Sequence, residues 1–219
     1  MTGDLSPVPY SAPACDGPPA MATPLLHIVA APAVVDLDIA EAAAARFLTA
    51  LGVETTTQGM AETPRRMAAA YLEMITPHPF DLTTFPNDAG YDQLVLARSI
   101  PVRSVCEHHM LPFLGVAHVG YLPGERILGL SKLARVVEMF ARRPQVQERL
   151  TTQVAGWLRD TLDPRGVGVV VEAEHLCMTV RGVQAAGTTT VTSAMHGLLR
   201  DDARSRAEFF ALTRSGHPA

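Results

Sequence analysis

The order in which strand-like and helix-like segments follow one another is the feature that most constrains this fold. Four segments rich in β-branched and aromatic residues are typical of strands, and they cover residues 93–104, 113–123, 167–183 and 187–195. Between the second and the third, apolar residues recur at helical spacing from Leu133 to Phe140 and again from Val146 to Leu162. The sequence therefore predicts an α+β fold in which two β-hairpins flank a pair of helices.

Two further helices are predicted before the first strand. Residues 36–51 form the first, with Asp36 as its cap. Residues 62–75 form the second, with Thr63 as the N-cap and Pro64 at the first helical position, where proline is favoured. The buried stripe of the second helix is predicted to consist of Met67, Ala70, Tyr71 and Met74.

Serine and aspartate mark the predicted starts of two later helices. Ser131 is expected to cap the first helix of the central pair, because its hydroxyl can accept a bond from a free backbone N–H. Pro144 is expected to separate that helix from the next. Asp201 is the predicted cap of a C-terminal helix over residues 201–214.

The distribution of proline divides the chain into three predicted parts. Residues 1–33 contain seven prolines and no basic residue, which predicts a disordered tail. Residues 34–79 form an N-terminal helical region, and residues 80–219 form the main domain. With 219 residues, of which 47% are hydrophobic, the chain can bury one core.

Composition excludes several classes of function. No apolar run approaches the roughly 18 residues needed to span a membrane, and no basic residue precedes the apolar segment 25–31, so a secretory signal is not expected. Three cysteines do not make a disulfide framework, which favours the reducing cytoplasm. A formal charge of −4 argues against a nucleic-acid-binding protein but not against a small anionic ligand.

Metal-competent side chains cluster at two short sites in the sequence. Cys106, His108 and His109 lie in the connection between the first two strands, and His175 and Cys177 share one face of the third strand if it is extended throughout. Two thiolates and one imidazole suit Zn²⁺, and either His108 or His109 can be the nitrogen ligand. The alternative is that the cysteines form a disulfide or are inert core residues.

Three protein ligands would leave one coordination position for water, which is typical of a catalytic zinc site. Zinc lowers the pKa of bound water to about 7, and the remaining histidines can carry protons beside it. The residues alone therefore predict a zinc-dependent hydrolase or hydratase.

Cationic residues near a helix start predict an anion site. Ser131, Lys132 and Arg135 lie in the first turns of a predicted helix, where free N–H groups and the helix dipole favour negative charge. Lys132 is the single lysine of the sequence, whose other 17 basic residues are arginines. Arg181 can supply a third cation. Gln147 and Glu148 begin the next helix, where a carboxylate can accept paired N–H bonds from a guanine edge.

Three blocks of the sequence resemble, in order, the signature segments of GTP cyclohydrolase I. They are "SVCEHHMLPFLGVAHVGYLP", "ILGLSKLARVVEMFARRPQVQERLT" and "VVVEAEHLCMTVRGV", and similar elements extend from about residue 36 to the C-terminus. The resemblance implies the tunnelling fold, with sheets of several subunits joined into a β-barrel. It also implies a homodecamer made from two pentamers, with active sites between subunits, and the conversion of GTP and water into 7,8-dihydroneopterin triphosphate and formate, the first step of tetrahydrofolate or pterin biosynthesis.

Carried over by position, the resemblance implies a role for each site residue. Cys106, His109 and Cys177 would hold zinc. His108 would protonate the departing ring nitrogen after water attacks the guanine carbon between two nitrogens, and His175 would assist the later rearrangement and ring closure. The guanine would be read by Gln147 and Glu148, and the triphosphate would be held by Ser131, Lys132, Arg135, Arg181 and Arg66.

Two positions depart from the pattern of the family. Ala69 stands where some relatives have a lysine, which removes one possible phosphate contact, and His196 stands where another residue is common. Two alternatives therefore stay open beside the zinc enzyme. One is a related tunnelling-fold purine or pterin enzyme that uses Cys106 or Cys177 as a nucleophile, and the other is a non-catalytic assembly protein stabilised by zinc.

Overall fold

The computed structural model describes residues 35–214 and begins with two packed helices, α1 (Leu37–Ala50) and α2 (Thr63–Ile75). The Asp36 carboxylate accepts a bond of 2.9 Å from the Ile39 N–H, which confirms the predicted cap of α1. The prediction of a disordered tail over residues 1–33 lies outside the described residues.

The start and buried face of α2 differ slightly from the prediction. Thr63 is the first helical residue rather than the N-cap, and its hydroxyl contacts the Met60 sulfur instead of a backbone N–H. Ala68 is buried and Ala70 is exposed, because the stripe that faces α1 and the sheet runs through Pro64 and Ala68.

Residues 35–214 contain two sheets. A small antiparallel pair joins β1 (Thr84–Pro86) to β4 (Arg126–Leu128), and the main sheet has the order β5-β2-β3-β6-β7. Its strands are β2 (Val95–Cys106), β3 (Pro112–Leu122), β5 (Pro144–Gln145), β6 (Gly166–His175) and β7 (Thr189–Gly197). The β2–β3, β3–β6 and β6–β7 pairs are antiparallel, and β5 pairs in parallel with the end of β2.

Helices cover one face of the main sheet. α3 (Leu130–Ala141) packs on β2, and α4 (Gln147–Leu162) packs on β6 and β7. Their apolar stripes and alternate residues of β2, β3 and β6 form the main core. On the other face, α6 (Leu198–Asp201) and α7 (Ala203–Arg214) enclose a smaller core built around Phe209 and Leu199. The predicted order of hairpin, helix pair, hairpin and C-terminal helix is confirmed.

The third predicted strand ends earlier than its composition indicated. β6 stops at His175 and a single helical turn, α5 (Leu176–Thr179), follows it. His175 pairs with Phe113, and β3 begins one residue before Phe113 at Pro112, so a longer β6 would have almost no partner. The predicted alternation of side chains beyond His175 is therefore wrong.

Two predicted helix caps are also wrong by one or two positions. Gly129 precedes α3, so Ser131 is the second helical residue and makes no capping bond. At the C-terminus, Asp202 rather than Asp201 accepts bonds from the N–H and the hydroxyl of Ser205, at 2.8 and 2.7 Å. Asp201 ends the short helix α6 instead.

Both outer edges of the main sheet are largely open in the described part of the chain. β5 pairs with β2 at Val105 and Cys106 alone, so most of β2 has one neighbour. β7 forms the opposite edge and pairs with β6 on its inner side. An open edge presents unpaired N–H and C=O groups that can bond to another strand.

Candidate metal centre and substrate site

A tight turn after β2 shapes the candidate site. The Cys106 N–H donates to Leu111 O at 2.8 Å, and the Met110 N–H donates to Cys106 O at 2.8 Å, which folds the intervening residues back over Cys106. Met110 has a positive φ of 54°, a conformation that few residues other than glycine adopt. The turn brings the His109 Nδ1 to 3.8 Å from the Cys106 Sγ.

The third predicted ligand reaches the same point from α5. Ligand atoms of Cys106, His109 and Cys177 all lie within 4.8 Å of one another, so the group could hold a metal ion. Both thiols are buried and free, and His109 is exposed. Although β6 does not extend to Cys177, the helical turn places its sulfur beside the other two ligands, and the three predicted metal residues do come together.

The electrostatics of the pair of thiols favour a bound cation. Burial raises the pKa of the Cys177 thiol, the neighbouring Cys106 raises it further, and Arg181 acts weakly in the opposite direction. A positive ion bound between the two sulfurs would stabilise the Cys177 thiolate and offset the rise in its pKa.

His108 lies in the same turn but outside the group of three ligand atoms. Its side chain is 65% exposed, its Nε2 lies 3.9 Å from the Glu107 carboxylate, and its ring centroid is 6.3 Å from that of His109. The geometry therefore selects His109 over His108 as the nitrogen ligand.

His175 lies at the end of β6 under different constraints. Its ring stacks on Phe113 with centroids 4.5 Å apart, and its Nε2 lies 2.8 Å from the Gln147 Oε1. Burial lowers the pKa of His175, and the nearby Glu148 carboxylate opposes that shift. Glu148 itself is exposed in the first turn of α4, as predicted.

The predicted triphosphate residues fall into two groups. Arg181 is close enough to Cys177 to influence its pKa, and Arg66 lies on α2, whose Tyr71 hydroxyl donates to Met110 O at 3.0 Å. Ser131, Lys132 and Arg135 form the second group, at the start of α3.

The start of α3 lies at the opposite end of the sheet from the three metal ligands. The Leu128 N–H, just before α3, donates to the Tyr121 hydroxyl, and Tyr121 pairs with Val95 at the beginning of β2. At the other end of α3, Ala141 O accepts a bond of 2.6 Å from the hydroxyl of Ser104, which lies two residues before Cys106. The 12 residues of α3 separate these ends by about 18 Å. One chain therefore does not bring all predicted site residues together.

Over residues 40–214 the sequence matches the sequence model of the family described as GTP cyclohydrolase I. The chain belongs to the GTP cyclohydrolase I family. Proteins named GTP cyclohydrolase 1 from Corynebacterium glutamicum, Thermobifida fusca and Mycobacteroides abscessus are 50%, 51% and 53% identical to it. In the same order, the alignments cover 83%, 81% and 82% of this chain and 95%, 88% and 90% of the relatives.

Membership of the GTP cyclohydrolase I family agrees with the element order described above, and the tunnelling fold expected from the sequence is confirmed. In residues 35–214, no helix combines the length and the apolar character needed to cross a membrane.

Two residues that contact the turn after β2 were not identified from the sequence. Arg149 on α4 forms an ion pair with Glu107, and the Tyr71 hydroxyl bonds to Met110 O. Arg149 is 42 residues from Glu107, and Tyr71 is 39 residues from Met110, so no local pattern connects them. The one local signal is Glu107 itself, because an acidic residue within "CEHH" indicates that the turn can bind a cationic side chain.

Proposed function

We propose that this chain hydrolyses GTP to 7,8-dihydroneopterin triphosphate and formate. The observation that carries the proposal is the convergence of Cys106, His109 and Cys177 in a chain of the GTP cyclohydrolase I family. The relatives that support it are named for the same activity.

The metal that fits these residues best is Zn²⁺. Two sulfurs and one imidazole nitrogen form a soft donor set of the kind that zinc prefers, and three protein ligands are typical of its catalytic sites. When bound, zinc would supply Lewis-acid activation of a water molecule close to neutral pH. Cys106, Cys177 and His109 would hold it and fix its position beside the substrate.

The proton carriers are His108 and His175. His108 is exposed next to the ligand turn, so it can deliver a proton to the ring nitrogen that departs when the guanine ring opens. Neutral His175, whose pKa is lowered by burial, is suited to accept a proton in the later rearrangement and ring closure. Glu107 and Arg149 would keep the turn that carries His108 in place.

The substrate would be recognised at both ends. The exposed Glu148 carboxylate beside His175 can accept N–H bonds from the guanine edge, and Gln147 stays a prediction for the same end. The triphosphate would be held by Ser131, Lys132, Arg135, Arg181 and Arg66. In the described chain Lys132 lies over the Phe80 ring at 6.0 Å and Arg135 bonds to Glu138 at 3.0 Å, so both cations already have supports.

A homo-oligomer completes the site in this proposal. Because the start of α3 lies far from the metal ligands of its own chain, Ser131, Lys132 and Arg135 would act on a triphosphate bound at a neighbouring subunit. The open edges of β2 and β7 can pair between subunits and close a barrel. Exposed apolar side chains on α1, with Ile39 at 66% and Phe47 at 54%, support a further contact that would join two pentamers into a decamer.

The decisive experiment is turnover of GTP by the purified, zinc-loaded chain. We expect formate and a pterin triphosphate in equal amounts, measured by a formate assay and by fluorescence after oxidation. Removal of zinc with a chelator should stop both, and added zinc should restore them. Absence of formate from the zinc-loaded protein would contradict the proposal, and turnover that persists without zinc would favour a cysteine nucleophile instead.

A further inference from the structure

The side chain of Gln147 is engaged inside the fold although it begins a helix next to the site. It is 2% exposed. Its Nε2 lies 3.0 Å from Val171 O, 2.8 Å from Thr190 O and 3.2 Å from the Thr192 hydroxyl. Its Oε1 lies 2.8 Å from the His175 Nε2. All the polar atoms of this amide therefore have partners within the chain.

Chemistry allows one orientation of this amide. Backbone carbonyl oxygens accept hydrogen bonds and cannot donate them, so the Gln147 nitrogen must face Val171 O and Thr190 O. The reversed amide would put its oxygen against two other oxygens. The Gln147 oxygen consequently faces His175, and since an amide oxygen accepts only, the His175 Nε2 must carry a hydrogen.

Two threonine hydroxyls lie next to Gln147 and bond to each other. The Thr151 hydroxyl donates to Gln147 O at 2.8 Å, and the Thr151 and Thr192 hydroxyls are 2.6 Å apart. Because the single hydrogen of Thr151 is already used, Thr192 donates to Thr151. Its oxygen then faces the Gln147 Nε2 at 3.2 Å, a longer contact beside the two shorter bonds that the amide hydrogens make to Val171 O and Thr190 O. The directions of these hydroxyl bonds are consistent with the same orientation of the Gln147 amide.

From these contacts we infer that Gln147 is a positioning residue that holds the His175 ring in one orientation, with the Nε2–H donated to Gln147 and the Nδ1 available to a ligand. Stacking on the buried Phe113 holds the ring plane, and Gln147 prevents the ring from rotating within that plane. No hydrogen bond from residues 35–214 reaches Nδ1 of His175. The inference rests on the proposed function to the extent that His175 carries a proton in the reaction.

The first test is spectroscopic and does not require turnover. In the zinc-loaded full chain labelled with ¹⁵N-histidine, at a pH well above the histidine range near 6.5, we expect a protonated Nε2 and an unprotonated Nδ1 for His175. The signals are assigned by their loss in the His175→Asn variant. A hydrogen on Nδ1 in the wild-type protein would overturn the inference, whether or not the protein turns over GTP.

The second test separates positioning from direct recognition of guanine. Gln147→Met keeps the length of the side chain and removes both polar atoms. Gln93→Met makes the same change at an exposed glutamine before β2 that bonds to Asp92 and takes no part in holding His175. We expect Gln147→Met to lower kcat by about tenfold or more with little change in KM, as for residues that orient a functional histidine. Gln93→Met should stay within about twofold of the wild type.

Each outcome of the second test has one meaning. A raised KM with an unchanged kcat in Gln147→Met would indicate that Gln147 contacts the substrate itself, and it would overturn the positioning role. If Gln147→Met does not fold, the wild-type spectrum still decides the inference. If the wild-type spectrum is as expected but no formate is released from GTP, the proposed function fails and the hydrogen on Nε2 stands.

Discussion

At the scale of single residues, the candidate site depends on a buried thiol, Cys177, that is costly to ionise without a cation. Cys106 and Cys177 are 5% and 8% exposed, and burial together with the neighbouring thiol raises the pKa of Cys177. His109 adds a nitrogen at 3.8 Å from Cys106. A divalent ion would offset this cost, so the occupancy of the site and the protonation of its ligands should change together.

Replacing one ligand should remove the metal, whereas replacing a proton carrier should not. We expect Cys106→Ser to lose most of the bound zinc and all measurable turnover of GTP. His108→Ala should keep about one zinc per chain, because three ligands remain, but should lose turnover. Metal analysis by mass spectrometry and the formate assay give the two readouts.

Cys15→Ser is the matched control for the loss of a thiol, because Cys15 is far from the ligand motif in the sequence. It should keep both zinc and turnover. Turnover retained by His108→Ala would refute the role proposed for His108, and zinc retained by Cys106→Ser would refute the ligand set.

His196 should make the stability of the protein depend on pH. Its Nε2 is buried without a hydrogen-bond partner among the described residues. Burial lowers its pKa, Arg159 and Arg200 lower it further, and Asp160 opposes them. Because the folded pKa is below the unfolded value of about 6.5, the unfolded state binds more protons as the pH falls through that range, and the folded state loses stability.

The test compares wild type with His196→Gln by thermal unfolding at about pH 7.5 and about pH 5.5. We expect the wild type to lose more of its Tm on acidification than the variant. The comparison cancels effects shared by both proteins, including protonation of the metal ligands. An equal loss in the two proteins would show that His196 does not contribute.

Single residues were predictable where the chemistry is local and not where it depends on contacts across the chain. Cys106 shares a turn with His108 and His109, so the spacing identified that turn as a candidate metal site. The choice of His109 over His108 came from the resemblance to GTP cyclohydrolase I, and the geometry agrees with it. Cys177 was identified through an alternation of side chains that the structure does not have, since it is reached through α5. Arg149 and Tyr71 contact the turn after β2 through folding alone, and no property of their own neighbours indicated it.

At the scale of elements, the type and order of the helices and strands followed from hydrophobic period, but their ends did not. A strand ends where its partner ends. The end of β6 is determined by the start of β3, more than 60 positions earlier in the chain, so the composition of β6 alone does not predict it. A helix cap depends on which side chain reaches a free N–H group. Two adjacent aspartates, Asp201 and Asp202, are equally good caps by composition, and the turn between α6 and α7 decides between them.

The assignment of the cap predicts a difference between these neighbouring aspartates. Asp202→Ala removes two bonds to Ser205 and should lower Tm by about 2–4 °C. Asp201→Ala removes an exposed ion pair with Arg200 and should leave Tm almost unchanged. Thermal unfolding at one fixed protein concentration measures both, and a larger effect for Asp201→Ala would contradict the assigned cap.

At the scale of the whole molecule, the two halves of the proposed site lie at opposite ends of one subunit. The metal ligands follow the end of β2, and the cations of α3 lie near its beginning. The 12 residues of α3 separate these ends by about 18 Å. The sequence identified both groups, but their separation within one chain appears only in the fold, and the proposed oligomer is what would bring them together.

Complementation between two inactive variants tests this arrangement. Cys177→Ala damages the metal end and Lys132→Met damages the triphosphate end, so each homo-oligomer should be inactive. When the two chains are co-expressed with different tags and purified as mixed assemblies, about a quarter of the sites should combine an intact metal end with an intact cationic end from a neighbour. Formate release should therefore return in the mixed assemblies. A mixture of Lys132→Met with Arg135→Met is the matched control. Both changes lie at the triphosphate end, so every site in this mixture carries one of the two substitutions and should stay inactive. If the mixture with Cys177→Ala is as inactive as its parents while both chains assemble and retain their fold, the two ends do not meet between subunits.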